Sequence, residues 1–254
     1  MARVAVILTA AGSGTRLGAD MPKAFIPVGS VPMVIRSADA IVRALSSSAP
    51  QESAIVVTAP VADLQRMRDL LGEYGIDAVV VAGGQSRAES VLAGLSALPA
   101  DTEVVLVHDA ARCFASPELI ASVVRAAELH GTAVPVVRVV DTLRYLDAGH
   151  LGGLLDRNGI VAIQTPQGFS RALLQRAFDA AVERGDLANA TDESSLVEAL
   201  ADSAMTIHHI AGDPGNMKLT TAADLEIANA RVGSVKRCGV GVDAHTFDSA
   251  SSGG

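Results

Sequence analysis

Short apolar runs rich in β-branched residues recur along the first part of the chain, at residues 4–8, 55–57, 79–81, 104–107 and 133–137. They are continuous rather than alternating, the pattern of strands buried on both faces. Each is followed by an amphipathic stretch of helical period, predicting helices over 32–47, 61–74, 86–98, 117–130, 170–184, 192–201 and 221–233. Several helix starts carry their own signals. Pro32 and Pro117 suit first helical positions, Ser116 is a cap, and Ser86-x-x-Glu89 and Thr221-x-x-Asp224 are capping boxes. Buried strands alternating with helices predict an α/β fold, a mostly parallel sheet with helices on both faces.

The alternation breaks between 141 and 162. Turn residues at Asp147-Ala148-Gly149-His150 and Asp156-Arg157-Asn158-Gly159, with extended segments between, predict a projecting β-arm suited to a dimer contact. After residue 233 the chain is rich in Ser and Gly. The expected organisation is therefore one domain over 1–233 and a linker-like tail over 234–254.

Composition narrows the partners. With 254 residues, 49% hydrophobic, the chain can bury a full core. The formal net charge of −8 disfavours nucleic acid, so anions must be held by local cations. Two cysteines make no disulfide framework, the start lacks a signal-peptide pattern, and no apolar run nears the roughly 20 residues of a membrane span. A cytoplasmic protein is the expectation.

The first strand opens into Ala10-Ala11-Gly12-Ser13-Gly14-Thr15-Arg16, with Pro22-Lys23 close behind. Small residues let main-chain N–H groups approach a polyphosphate, and Arg16 and Lys23 would neutralise it. Two familiar loops are excluded by spacing. Gly12, Gly14 and Gly18 stand one residue too far apart for the dinucleotide fingerprint, and no Gly-Lys-Ser/Thr follows. Asp109 ends the strand over 104–107, at the carboxyl edge where open α/β sheets bind ligands, and is a candidate Mg²⁺ or acceptor contact. His108 points the other way and reads as a packed core histidine. Only three of the 20 basic residues are lysines, and two of these, Lys23 and Lys218, fall on candidate site positions.

These blocks, together with Gly83-Gly84-x-x-Arg87-x-x-Ser90, Val107-His108-Asp109-Ala110-Ala111-Arg112, Asp156-Arg157, Thr165-Pro166-Gln167, Thr191-Asp192-Glu193 and Asn216-x-Lys218-Leu219-Thr220, resemble the 2-C-methyl-D-erythritol 4-phosphate cytidylyltransferases. The resemblance implies a Rossmann-like nucleotidyltransferase fold and transfer of CMP from CTP to the phosphorylated polyol, with Mg²⁺. It implies nucleotide contacts at Ala10, Ala11, Gly12, Gly14, Gly83, Gln85, Ser90, Asp109 and Ala110, and acceptor contacts at Asp109, Arg112, Thr142, Arg157 and Lys218. Arg16 and Lys23 would stabilise charge at the α-phosphorus. An arginine matching Arg157 would cross to the acceptor phosphate of a partner subunit, and Lys218 would position that phosphate. Cys113 departs from the proline usual in the family.

Residues 236–247 resemble the opening of 2-C-methyl-D-erythritol 2,4-cyclodiphosphate synthase, whose Asp-x-His pair matches Asp243 and His245, so 234–254 is expected to be a linker and the truncated, disordered start of a second domain. No His or Cys follows to complete a closed zinc site, so zinc is not expected. Another sugar-phosphate nucleotidyltransferase would share the first loop but lack the Asn-x-Lys-Leu-Thr block. A noncatalytic nucleotide-binding module would have no need of Lys23 or Asp109.

Overall fold

The computed structural model describes residues 3–12, 14, 21–48, 53–200 and 206–233. Strand β1 (Val4–Thr9) is followed by a small hairpin of β2 (Pro27–Val28) and β3 (Val31–Pro32), helix α1 (Met33–Ser48), β4 (Ala54–Ala59) and α2 (Leu64–Glu73). Then come β5 (Val79–Ala82), α3 (Arg87–Ser96), β6 (Val104–Asp109), α4 (Pro117–His130) and β7 (Thr132–Arg138). The chain continues through β8 (Leu143–Asp147), β9 (His150–Leu155), β10 (Val161–Ile163), β11 (Gln167–Ser170), α5 (Arg171–Arg184), α6 (Glu193–Glu198), β12 (His209–Ala211) and α7 (Ala222–Gly233).

The main sheet has the order β10-β7-β11-β6-β1-β4-β5, with β12 beside β7. β6, β1, β4 and β5 are mutually parallel, as the buried runs predict. Alternate residues of β1 feed two cores. Val4, Val6 and Leu8 pack with residues of α1, α2 and α4, while Ala5 and Ile7 pack with those of α3, α5 and α6. Burying each such aliphatic side chain is worth about 1.5–3 kcal/mol, so both faces must be covered. The fold is α/β with helices on both sides of the sheet.

β11 was not legible in the sequence. It lies between β6 and β7, antiparallel to both, and pairs Gln167 with Val107. Its reversed direction delivers residues 164–167 to the same sheet edge at which β6 ends. Helix starts follow their caps: Ser86 and Glu89 bond reciprocally, Ser116 accepts from the Leu119 amide, and Thr221 and Asp224 exchange bonds of 2.8 and 3.2 Å. Pro32 departs from expectation. It closes β3, because its neighbour Val31 pairs with Val28, and α1 begins at Met33.

Between 141 and 162, β8 and β9 form a two-stranded hairpin turned at Ala148 and Gly149, whose φ values of 44° and 85° are those of a tight primed turn. Tyr145, Leu146, Leu151 and Leu154 on it are 60–78% exposed. Among the described residues no helix is long and apolar enough to cross a membrane.

Candidate active site

The loops after β1, β5 and β6 line a cleft of about 410 Å³ at the carboxyl edge of the sheet. The first loop supplies Ala10, Ala11 and Gly12, the second Gln85 and Ser86 with Arg87 and Ser90 from the start of α3, and the end of β6 with the third loop Asp109 and Ala110; Lys23 and Lys218 stand on the rim. Main-chain bonds hold these loops to the strands: Ala10 donates to Thr58, Gly83 to Ala59 and Ala110 to Thr9. The second loop is stiffened from within. Ser90 Oγ accepts from the Gly84 amide and donates to the Ser86 carbonyl, and Glu89 accepts from the Gln85 and Ser86 amides.

Two glycines shape the cleft without lining it. Gly14 has φ +71°, and a Cβ there would lie 2.6 Å from Lys23 Cβ, so the loop closes directly against the lysine backbone. At Gly83 a Cβ would meet Ala11 Cβ at 2.4 Å, which lets the first two loops touch.

A second cleft of about 370 Å³ adjoins the first and shares Arg87, Asp109 and Lys218 with it; Arg112, Val161, Ile163, Thr165, Gln167, Thr191 and Asp192 form its other walls. Asp109 stands at the junction. It accepts from Arg87 Nε at 2.9 Å, from Lys218 Nζ at 2.7 Å and from Thr9 Oγ1 at 3.2 Å, and its own amide donates to Thr165 Oγ1. Arg87 turns its other two nitrogens onto Glu193, at 2.6 and 3.1 Å. The side chains of Glu193 and Asp109 are 1% and 8% exposed.

Burial opposes charge on Asp109, but Arg87 and Lys218 outweigh it and hold the carboxyl well below the usual carboxylate range. Burial likewise opposes charge on Arg87, and Glu193 and Asp109 more than offset it, keeping the guanidinium firmly protonated. A depressed folded-state pKa gives Asp109 a stabilising contribution that is complete above its unfolded value of ~4 and is lost as pH falls through the folded value. The stability difference between the protein and its Asp109→Asn variant is therefore expected to be constant above about pH 5 and to shrink below about pH 4. Urea titrations across that range check it.

Arg112 gives one nitrogen to the Asn216 carbonyl and another to that of Ile163, so it ties the Lys218 loop to β10 as well as facing the second cleft. The Leu219 amide donates to the Ala111 carbonyl, a further tie on the same loop. Asn216 is fully buried and donates to the Thr165 carbonyl at 2.8 Å. His108 is core, as expected: it is fully buried, its Nδ1 lies 3.1 Å from Thr165 Oγ1, and burial pushes it down to about 4. Cys113 packs with Ile26, Val28, Met33 and Leu219, and burial pushes its thiol up to about 11, which leaves no nucleophilic thiolate at neutral pH.

Thr142 and Arg157 are exposed and line neither cleft within this chain; Arg157 bonds the Val140 carbonyl on the arm. Arg16, Asp243 and His245 lie outside the described residues. Arg87 and Glu193 have no role on sequence grounds, although both lie in the blocks that carry the family resemblance. One signal was present. Arg87 is the first residue of α3, where the helix dipole disfavours a cation, and such a local mismatch marks a functional position.

The family model for 2-C-methyl-D-erythritol 4-phosphate cytidylyltransferase matches residues 4–234. The chain belongs to this family. It is accordingly a cytidylyltransferase, a nucleotidyltransferase enzyme, with the fold of that group. An enzyme of this name from Rhodococcus jostii is 41% identical over 90% of this chain and 95% of its own length. The crystal structure of the Thermus thermophilus 2-C-methyl-D-erythritol 4-phosphate cytidylyltransferase superposes with a TM-score of 0.75 at 33% identity, covering 92% of this chain and all of that one. A bifunctional enzyme IspD/IspF from Clavibacter michiganensis is 39% identical over 97% of this cytidylyltransferase, which spans 60% of that relative's length.

Proposed function

We infer that the protein transfers CMP from CTP to 2-C-methyl-D-erythritol 4-phosphate and releases pyrophosphate, a step of non-mevalonate isoprenoid synthesis. The observation that carries this reading is the pair of adjoining clefts sharing Asp109, Arg87 and Lys218, which would hold donor and acceptor on either side of one charged seam. CTP would occupy the first cleft, its phosphates over Ala10, Ala11, Gly12 and Gly14 and its base by Gly83, Gln85 and Ser90. The acceptor would occupy the second, with its phosphate on Lys218 and its body near Asp109 and Arg112; Thr142, outside that cleft, would reach it only from the arm.

A phosphate oxygen of the acceptor attacks the α-phosphorus, the new P–O bond forms opposite the bond to the β-phosphate, and pyrophosphate leaves. Arg16 and Lys23 stabilise the negative charge that gathers on the transferring group. Both oxygens of Asp109 already bond Arg87 and Lys218, so a Mg²⁺ would be carried by triphosphate oxygens, with the ionised Asp109 as nearby negative charge. That ion would supply further charge neutralisation on the leaving pyrophosphate. The exposed apolar side chains of the β8–β9 arm support a homodimer through the arm, in which Arg157 would serve the partner's acceptor phosphate. A cytoplasmic location accords with these soluble substrates.

Pyrophosphate release measured with CTP, UTP, ATP and GTP, each with and without methylerythritol phosphate, tests the reading. Release is expected with CTP and only when the acceptor is present. Release that ignores the acceptor, or that prefers another base, would overturn it.

A further inference from the structure

The buried carboxylate of Glu193 has no place in the reaction as derived. It lines neither cleft, yet it is buried and ionically bonded to Arg87, which lines both. Its position is held on both sides. Asp192, immediately before it, caps α6 through the Ser195 amide and accepts from Gln167 on β11, while Gln167 Oε1 accepts from the Ser194 amide. Glu193 is thus fixed to the strand next to β6, and both its oxygens accept from the terminal nitrogens of Arg87. With those nitrogens occupied, Arg87 has Nε left to present to Asp109, and it binds Oδ1 alone. Asp109 Oδ2 remains for Lys218.

We propose that Glu193 and Arg87 are positioning residues that place Lys218 for the acceptor: Glu193 restricts Arg87 to a single contact with Asp109, leaving the second carboxylate oxygen to hold the lysine ammonium at the seam of the two clefts. The guanidinium is a rigid fork that matches a carboxylate with two parallel bonds. Without Glu193, the same fork is free to turn edge-on to Asp109 and take both oxygens. Lys218 then loses its anchor and swings out of register with the acceptor phosphate. Glu193 would in this way set acceptor recognition without touching either substrate. This inference rests on the cytidylyltransferase reading of the site.

A double-mutant cycle decides it, with kcat/KM for methylerythritol phosphate measured at saturating CTP in the intact chain. Glu193→Gln is expected to lower that ratio by about tenfold, a size usual for coupled neighbours. In a Lys218→Met background the same change is expected to cost less than about twofold, because the group it acts through is gone. Glu193→Asp, which keeps the charge and shortens the reach, should be coupled to Lys218 in the same sense and serves if the glutamine variant does not fold. Losses that multiply independently in the two backgrounds would assign Glu193 a purely structural role and overturn the proposal, as would a folded Glu193→Gln enzyme with unchanged acceptor kcat/KM. A parent enzyme that releases no pyrophosphate from CTP and acceptor would instead bring down the underlying reading together with it.

Discussion

Lys23→Arg and Lys218→Arg are each expected to lower kcat by about two to three orders of magnitude while the protein folds normally, the loss usual when one preorganised charge at a reacting centre is displaced. The two sites fail for the same geometric reason. Lys218 meets Asp109 with a single ammonium at 2.7 Å, beside an arginine already bonded to that carboxylate. A second guanidinium would have to fit its plane into a seam shaped for a compact point charge. Lys23 has the Gly14 loop closed against its own Cβ, which leaves its stem little freedom to retreat for a bulkier head. Steady-state kinetics alongside circular dichroism and melting curves test this, and near-parental turnover in either variant would refute it.

Asp109→Asn is expected to be strongly destabilising for a conservative change. Removing one partner from a buried ionic cluster costs about 3–5 kcal/mol, because the remaining charges lose their compensation. Here Arg87 would keep Glu193, but Lys218 would have a neutral amide where it had a carboxylate. For a chain of this size that corresponds to a fall in Tm on the order of 10 °C. Differential scanning fluorimetry measures it directly. Activity should fall with stability, since both clefts share the residue.

Much of this site was legible in the sequence because its parts are local. The loop after β1, the capped start of α3 and the aspartate ending β6 each carry their chemistry within a few residues, and each strand before them is a continuous apolar run. The pairing of Arg87 with Glu193 was not assignable, because they lie 106 positions apart and only the folded sheet brings them together. β11 was hidden for a related reason. Gln167-Gly168-Phe169-Ser170 has no β-branched run, and its strand character comes from two neighbours supplied by distant parts of the chain. Pro32 followed a sound local rule and lost to the pairing of β2 with β3. The role of Arg112 was half visible. Its placement beside Asp109 could be read, whereas its bonds to the Asn216 and Ile163 carbonyls depend on loops that arrive from elsewhere.

The antiparallel insertion of β11 also sets an order of assembly. During synthesis from the amino terminus, β1, β4, β5 and β6 and the three loops of the first cleft are made by residue 111, whereas residues 161–192 of the second cleft, and Lys218, which both clefts share, come later. Neither cleft is therefore whole until the chain has been made as far as Lys218, so one late segment completes both at once.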